Sequence, residues 1–151
     1  MRNYKTLLLL LVAGMSLLVT SCDKDDDDNP VDVIEKPTSR ISEPTYDKNL
    51  TTTTTSNVSM RCRFNNGGDT WDNMSCTVHW RSYSSKQTKT PKQSDMSKHE
   101  SMRQYASTSK STTFDKTHTG LSGGAYIYYY FECRNSKYTA KTNVTYCIVK
   151  R

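Results

Sequence analysis

Apolar residues are scarce in this chain. Only 34% of its 151 residues are hydrophobic, and the first 21 positions use up a good part of them. After Ser21 no stretch carries apolar residues at helical spacing; residues 96–105 come nearest, and weakly. That argues against a helical fold. Internal repeats are absent too, so the ~110 residues behind the N-terminal region make one domain rather than two. Histidine is limited to His79, His99 and His118, and no Gly-x-Ser-x-Gly, His-Glu-x-x-His or phosphate-loop motif occurs. The carboxylates of the folded part are scattered, so no enzyme, cofactor or metal centre is expected. Acid is also in short supply, since from Thr38 onward 17 Lys and Arg stand against 8 Asp and Glu. This surplus, much of it in the Ser-, Thr- and Lys-rich segment 84–110, would steer the domain toward acidic polysaccharide or an anionic cell surface. No nucleic-acid-binding motif accompanies it, and nucleic acid is not an expected partner.

What is present begins with a basic tip, Arg2 and Lys5. An apolar run at 7–12, small residues and a second apolar run at 17–19 follow. This is a signal-peptide pattern over 1–21. Its apolar part is too short for a membrane-spanning helix, which takes roughly 20 such residues. Val19-Thr20-Ser21-Cys22 resembles the lipobox of bacterial lipoproteins, with valine where that family prefers leucine. The resemblance implies that Cys22 is acylated, as in palmitate-bearing lipoproteins, and becomes the new N-terminus. One acyl chain binds a bilayer marginally, whereas two or more hold it.

Asp23, Asp25, Asp26, Asp27 and Asp28, broken only by Lys24, repel one another and stay solvated. A plain spacer would serve as an account of them. An acid run directly behind an acylated cysteine also resembles the surface-export signal of Bacteroidetes-type lipoproteins. A competing rule, from enterobacterial lipoproteins, links an aspartate at the position of Asp23 with inner-membrane retention. The length of the run favours export, so a lipid anchor in the outer membrane with exposure at the cell surface is expected. Pro30, Pro37 and Pro44 interrupt any regular element, and 22–44 reads as a tether. Between Asp23 and Pro37 it would span roughly 50 Å extended and about 20 Å as a coil.

In the domain, 45–151, apolar residues alternate with polar ones. Val58, Met60, Cys62 and Phe64 form one such row; Met74, Cys76, Val78 and Trp80 form another. Ala125, Ile127, Tyr129, Phe131 and Cys133 make a third, and Val144, Tyr146 and Ile148 a fourth. Period two with one apolar face predicts half-buried antiparallel strands. Asn65-Asn66-Gly67-Gly68, Gly120, Gly123-Gly124 and Asn135-Ser136-Lys137 are the turns between them, and 51–55 reads as an edge strand or loop. Several short strands so spaced predict an all-β fold, an antiparallel β-sandwich. The segment 114–128, with Leu121, the small turn Ser122-Gly123-Gly124 and Tyr126 and Tyr128, resembles a corner found in fibronectin type III and immunoglobulin-like domains. Ile127 stands where those families place the corner tyrosine. Cys62, Trp80 and Cys133 resemble the immunoglobulin cysteine, core tryptophan and cysteine. The resemblance covers roughly 45–150 and implies no catalytic residue.

Four cysteines remain besides Cys22: Cys62, Cys76, Cys133 and Cys147. An even number in an exported chain suggests disulfides, with three connectivities open. The immunoglobulin likeness implies Cys62–Cys133. That choice would leave Cys76 and Cys147 on strands about 9.6 Å apart, beyond the roughly 7 Å limit between bridged α-carbons. The local pairs Cys62–Cys76 and Cys133–Cys147 close equal loops, each worth about 3 kcal/mol by the chain-entropy estimate. They are the expectation, provided the last hairpin turns near Ala140. Zinc is disfavoured because no close Cys-x-x-Cys pair occurs.

Ligand-binding candidates are aromatic. Tyr126, Tyr128 and Tyr130 fall on the outward row with Glu132. They would either form a platform for a glycan or protein partner or pack beneath the long 83–110 connection. Trp71, in the loop with Asp69 and Asp72, would stack on a sugar or fold back as a lid; two carboxylates fall short of the 6–8 oxygens calcium takes. The expectation is a lipid-anchored, non-catalytic binding or structural module, with a small glycan-binding accessory protein as the alternative.

Overall fold

The computed structural model describes residues 40–68 and 73–151. The signal peptide, Cys22, nearly all of the tether, and Asp69, Trp71 and Asp72 lie outside the described residues. Among those described, ten strands occur: β1 (Thr45–Asn49), β2 (Thr52–Thr54), β3 (Asn57–Asn65), β4 (Ser75–Tyr83), β5 (Lys98–Ser101), β6 (Arg103–Ser107), β7 (Ser111–His118), β8 (Tyr126–Arg134), β9 (Thr139–Lys141) and β10 (Thr145–Ile148). One short 3-10 turn occupies Gln93–Asp95.

They form two antiparallel sheets, an all-β sandwich. The first runs β1-β3-β7-β6, with β2 continuing the line of β1 along β3; the second runs β10-β8-β4-β5, with β9 continuing the line of β10 along β8. The expected alternation sets the core. Val58, Met60, Cys62 and Phe64 on β3 and Phe114 on β7 face Cys76, Val78 and Trp80 on β4 and Ile127, Tyr129, Phe131 and Cys133 on β8. Each side chain so buried contributes about 1.5–3 kcal/mol. Tyr129 keeps its hydroxyl satisfied there by accepting from Asn49 Nδ2 at 2.8 Å.

Two expectations change and one open choice is decided. The weak helical candidate at 96–105 is instead β5 and the start of β6. The chain passes from the second sheet to the first at Met102, whose N–H donates to the Cys76 carbonyl at 2.8 Å. The 51–55 run contains β2, an edge strand.

The other change concerns the last row. Tyr146 and Ile148 face solvent, 39% and 44% exposed, while Cys147 packs on the core and Val149 is buried. The cause is one extra residue. Lys141 pairs with Glu132 and Thr145 with Tyr129, so three residues, 142–144, span two of β8. Side-chain period being two, one inserted residue turns the rest of the strand over.

The same register corrects one disulfide. The hairpin turns at Asn135, whose N–H donates to the Tyr138 carbonyl and whose Oδ1 accepts from the N–H groups of Lys137 and Tyr138. Cys133 therefore faces Ala140, and Cys147 faces Ile127. Six residues of strand separate the two cysteines, about 20 Å, so Cys133–Cys147 does not form in this fold.

The double glycine fixes where the tether enters. Gly67 and Gly68 have φ of +28° and +118°, and a Cβ on Gly68 would fall 2.0 Å from the Arg40 carbonyl. Only glycine lets residues 40–43 cross so closely. Ser42 N–H then donates to the Gly67 carbonyl at 3.2 Å, and Asn135 Nδ2 donates to the Ser42 carbonyl at 2.8 Å.

Candidate functional site: the outer face of the second sheet

Register places Thr77, His79, Arg81 and Tyr83 of β4 on the outward face, beside Tyr126, Tyr128, Tyr130 and Glu132 of β8. Tyr146 and Ile148 of β10, Lys141 of β9 and His99 of β5 complete the face. Strands of one sheet lie about 4.8 Å apart, so these side chains form a continuous layer.

A strap of chain covers its middle. After β4 the backbone returns across the sheet. Gln87 N–H donates to the Tyr128 hydroxyl at 3.0 Å, Arg81 Nη1 to the Asp95 carbonyl at 3.3 Å, and Gln93 Nε2 to the Thr142 carbonyl at 3.0 Å. Asp95 closes the 3-10 turn by accepting from the Lys92 N–H at 2.7 Å. Met96, 2% exposed, presses onto Tyr128 and Tyr130 with Tyr83, Tyr126 and Val144 around it, a second apolar cluster outside the sandwich core.

This corrects the aromatic platform. Tyr128 and Tyr130 are 2% and 5% exposed and present no open ring face. Tyr126 is half-buried. The open aromatic surface lies one strand over: Tyr146 sits 5.8 Å from Tyr126 and 5.2 Å from Tyr128, ring centre to ring centre, with Lys86 Nζ 5.5 Å above it and Ile148 beside it. No signal in the sequence pointed to Tyr146, because period-two counting skips the extra residue at 142–144 that turns it outward.

The other end of the face is ionic. The His79 ring stacks on Tyr130 at 4.4 Å and nearly parallel, its Nδ1 meets His99 Nδ1 at 2.5 Å, and its Nε2 lies 3.7 Å from Glu132 Oε2. Glu132 is buried yet receives Arg134 Nε at 2.8 Å and Lys141 Nζ at 3.1 Å. Burial would raise its pKa, but hydrogen bonds from Arg134 and Lys141 outweigh that and hold the carboxyl below its usual range. Burial lowers the His79 pKa, with His99, Lys141 and Arg134 adding to the effect against Glu132. One proton at most fits between the facing His79 and His99 nitrogens.

A second ionic group closes the lateral opening between the sheets. Trp80 Nε1 donates to Glu100 Oε1 at 2.9 Å, Lys116 Nζ lies 3.2 Å from Glu100 Oε2, and the His118 ring packs on Trp80 at 4.5 Å. His99 and His118 both belong to regular structure. They lie on β5 and β7, and His118 is buried. Inward-pointing charge on an edge strand such as β5 discourages pairing with another chain.

Trp71 lies outside the described residues. Among the described residues no three of His, Cys, Asp or Glu are grouped to hold a metal ion. No family model, curated protein or solved structure matches this chain.

Proposed function

We propose that this chain is a lipoprotein, anchored through acylated Cys22, whose sandwich serves as a non-catalytic binding or structural module at the cell surface. The observation that carries the binding role is the patch of Tyr126, Tyr146, Ile148 and Lys86. Two large apolar side chains there are 39% and 44% exposed in a chain poor in apolar residues. Tyrosine gives a partner both apolar area and a hydroxyl, at little conformational expense. The strand order supports an immunoglobulin-like type for the sandwich. So does the parallel bridge between Thr55 and Lys150, which joins the first and last strand lines at one end.

The alternative, glycan binding, is favoured by the tilt of Tyr126 against Tyr146, 41°, with a lysine above, which suits a bent, anionic saccharide. Two measurements separate these readings from error. Protease shaving of cells producing the wild type or Cys22→Ala tests placement; protection of the wild type would remove the surface assignment. Binding of the full chain to an array of acidic and neutral glycans, with Tyr146→Ala and Ile148→Ala alongside, tests the patch. Unchanged binding in both variants would remove the patch from the reading.

A further inference from the structure

The buried cysteines form a group that neither the core nor the outer face explains. Cys62 on β3 of the first sheet and Cys76 on β4 of the second point at each other across the sandwich, Sγ to Sγ 3.8 Å. Cys133 on β8 is the direct cross-strand partner of Cys76. Their backbones point away from each other. The Cys76 carbonyl accepts from Met102 on the β5 side, and Phe131, two residues along from Cys133, bonds to Thr142 on the other side. They are therefore a non-hydrogen-bonded pair, with α-carbons about 4.5 Å apart, inside the roughly 4.4–6.8 Å that bridged cysteines span. Cys76 thus touches both neighbours, while Cys133 meets the Cys76 thiol and the Arg134 backbone.

We propose that Cys62, Cys76 and Cys133 are one oxidation site in which Cys76 is the fixed member of a single disulfide, with Cys62 its first partner and Cys133 its second. This rests on the export proposed above, because a reducing cytosol would leave all three as thiols. To form the bond, Cys76 and one neighbour each release a proton and together pass two electrons to an external disulfide, which leaves as two thiols. The Cys62–Cys76 form staples sheet to sheet, and the Cys76–Cys133 form staples two strands of one sheet. They interconvert without further oxidant. The Cys133 thiolate attacks Cys76 Sγ, the Cys62 sulfur leaves as thiolate, and the proton given up by Cys133 ends on Cys62. The hydrogen bond to Cys76, then burial, pushes the Cys133 thiol far above its ordinary range. Thiolate is scarce there, so the first bond formed is retained. Cys147 takes no part: its thiol, raised by burial to about 11, lies near Ile127, remote from the group.

Oxidising the purified full chain with oxidised glutathione tests the geometry independently of where the cell places the protein. Free thiols are blocked under denaturing conditions and peptides are mapped without reduction. Every intramolecular crosslink is expected to contain Cys76, mainly with Cys62, and Cys147 is expected to be blocked as a free thiol. Cys62→Ser is expected to shift the crosslink to Cys76–Cys133. A Cys62–Cys133 crosslink, any crosslink to Cys147, or Cys62, Cys76, Cys133 and Cys147 all left as free thiols in the oxidised wild type would overturn the assignment.

Discussion

The outer faces of the two sheets are built from the same kind of strand and end up opposite in character. On the first sheet, Arg61 and Arg63 of β3 are half-buried, and Asp115 of β7 is buried beneath side chains of the neighbouring strands. Arg103 forks onto Asp115 at 3.0 and 3.1 Å, Arg61 lies 4.3 Å over the exposed Tyr105 ring, and Arg63 pairs with Asp47. On the second sheet Tyr128 and Tyr130, at the middle of the equivalent layer, are buried under Met96 and its strap. The difference lies in the connections. On the first sheet β2 runs into β3 and β6 into β7 through short turns, whereas β4 is followed by a long excursion before β5. A long connection must lie on some surface, and a row of tyrosines gives it apolar area to cover. A thin-cored domain thereby gains a second apolar cluster without lengthening its strands.

Removing that layer is the strongest way to break the comparison. Tyr128→Ala deletes a ring at the centre of the outer cluster and the acceptor for the Gln87 N–H. It is expected to cost about 3 kcal/mol or more, the range of buried aromatic truncations. That is a large share of a small domain's stability of roughly 5–15 kcal/mol. Urea denaturation of the full chain measures it. Met96→Ala leaves the sheet intact and empties the strap's only fully buried side chain; about 2–4 kcal/mol is expected. If it costs under ~1 kcal/mol, like an exposed position, the strap merely rests on the sheet and the two faces are energetically alike.

How much of this was legible beforehand follows the same division. The inward rows of β3, β4 and β8 were readable because each is an unbroken period-two run with one face in the core. The row of β10 was not. A bulge is a single inserted residue, and nothing in Thr142-Asn143-Val144 marks which face follows it. Tyr128 and Tyr130 were readable as outward, with cover by the 83–110 connection as one of two readings and an open platform as the other. Outwardness is a property of one strand, whereas cover depends on where residues 84–97 fold back, and those are nearly all polar. Met96 is the one large apolar residue among them, and it is what docks. Glu132 and His79 were visible as residues, yet their contact with Lys141, Arg134 and His99 needs the pairing of β8 with β9 and of β4 with β5.

The ionic groups permit a finer separation by pH. Burial holds His79 and His118 below their usual value of 6.5, so the folded chain binds fewer protons there than the unfolded one. Their contribution is full above about pH 6.5 and is lost as pH falls below it. Glu100 and Glu132 also sit below their usual 4.5. Burial opposes this, but hydrogen bonds from Trp80 and Lys116 to the first, and from Arg134 and Lys141 to the second, prevail. Their contribution disappears only as pH drops below about 4.5. Tm measured from pH 8 to 3 is expected to fall in two stages, and His79→Gln with His118→Gln to flatten the upper one. An upper stage unchanged in the double variant would mean that neither ring titrates with folding.

The smallest effect belongs to the open face. Arg63 and Asp47 pair with side chains 41% and 35% exposed, where water screens the attraction and two long side chains lose freedom to meet. Arg63→Ala is expected to cost less than ~1 kcal/mol, and less again at high salt, since screening shortens the reach of exposed charges. Urea denaturation at low and high salt checks both statements. A loss comparable to that of Met96→Ala, unmoved by salt, would show that the Arg63 stem is packed rather than merely paired. The first sheet would then be held from outside as firmly as the second, and the contrast between the faces would rest on chemistry alone.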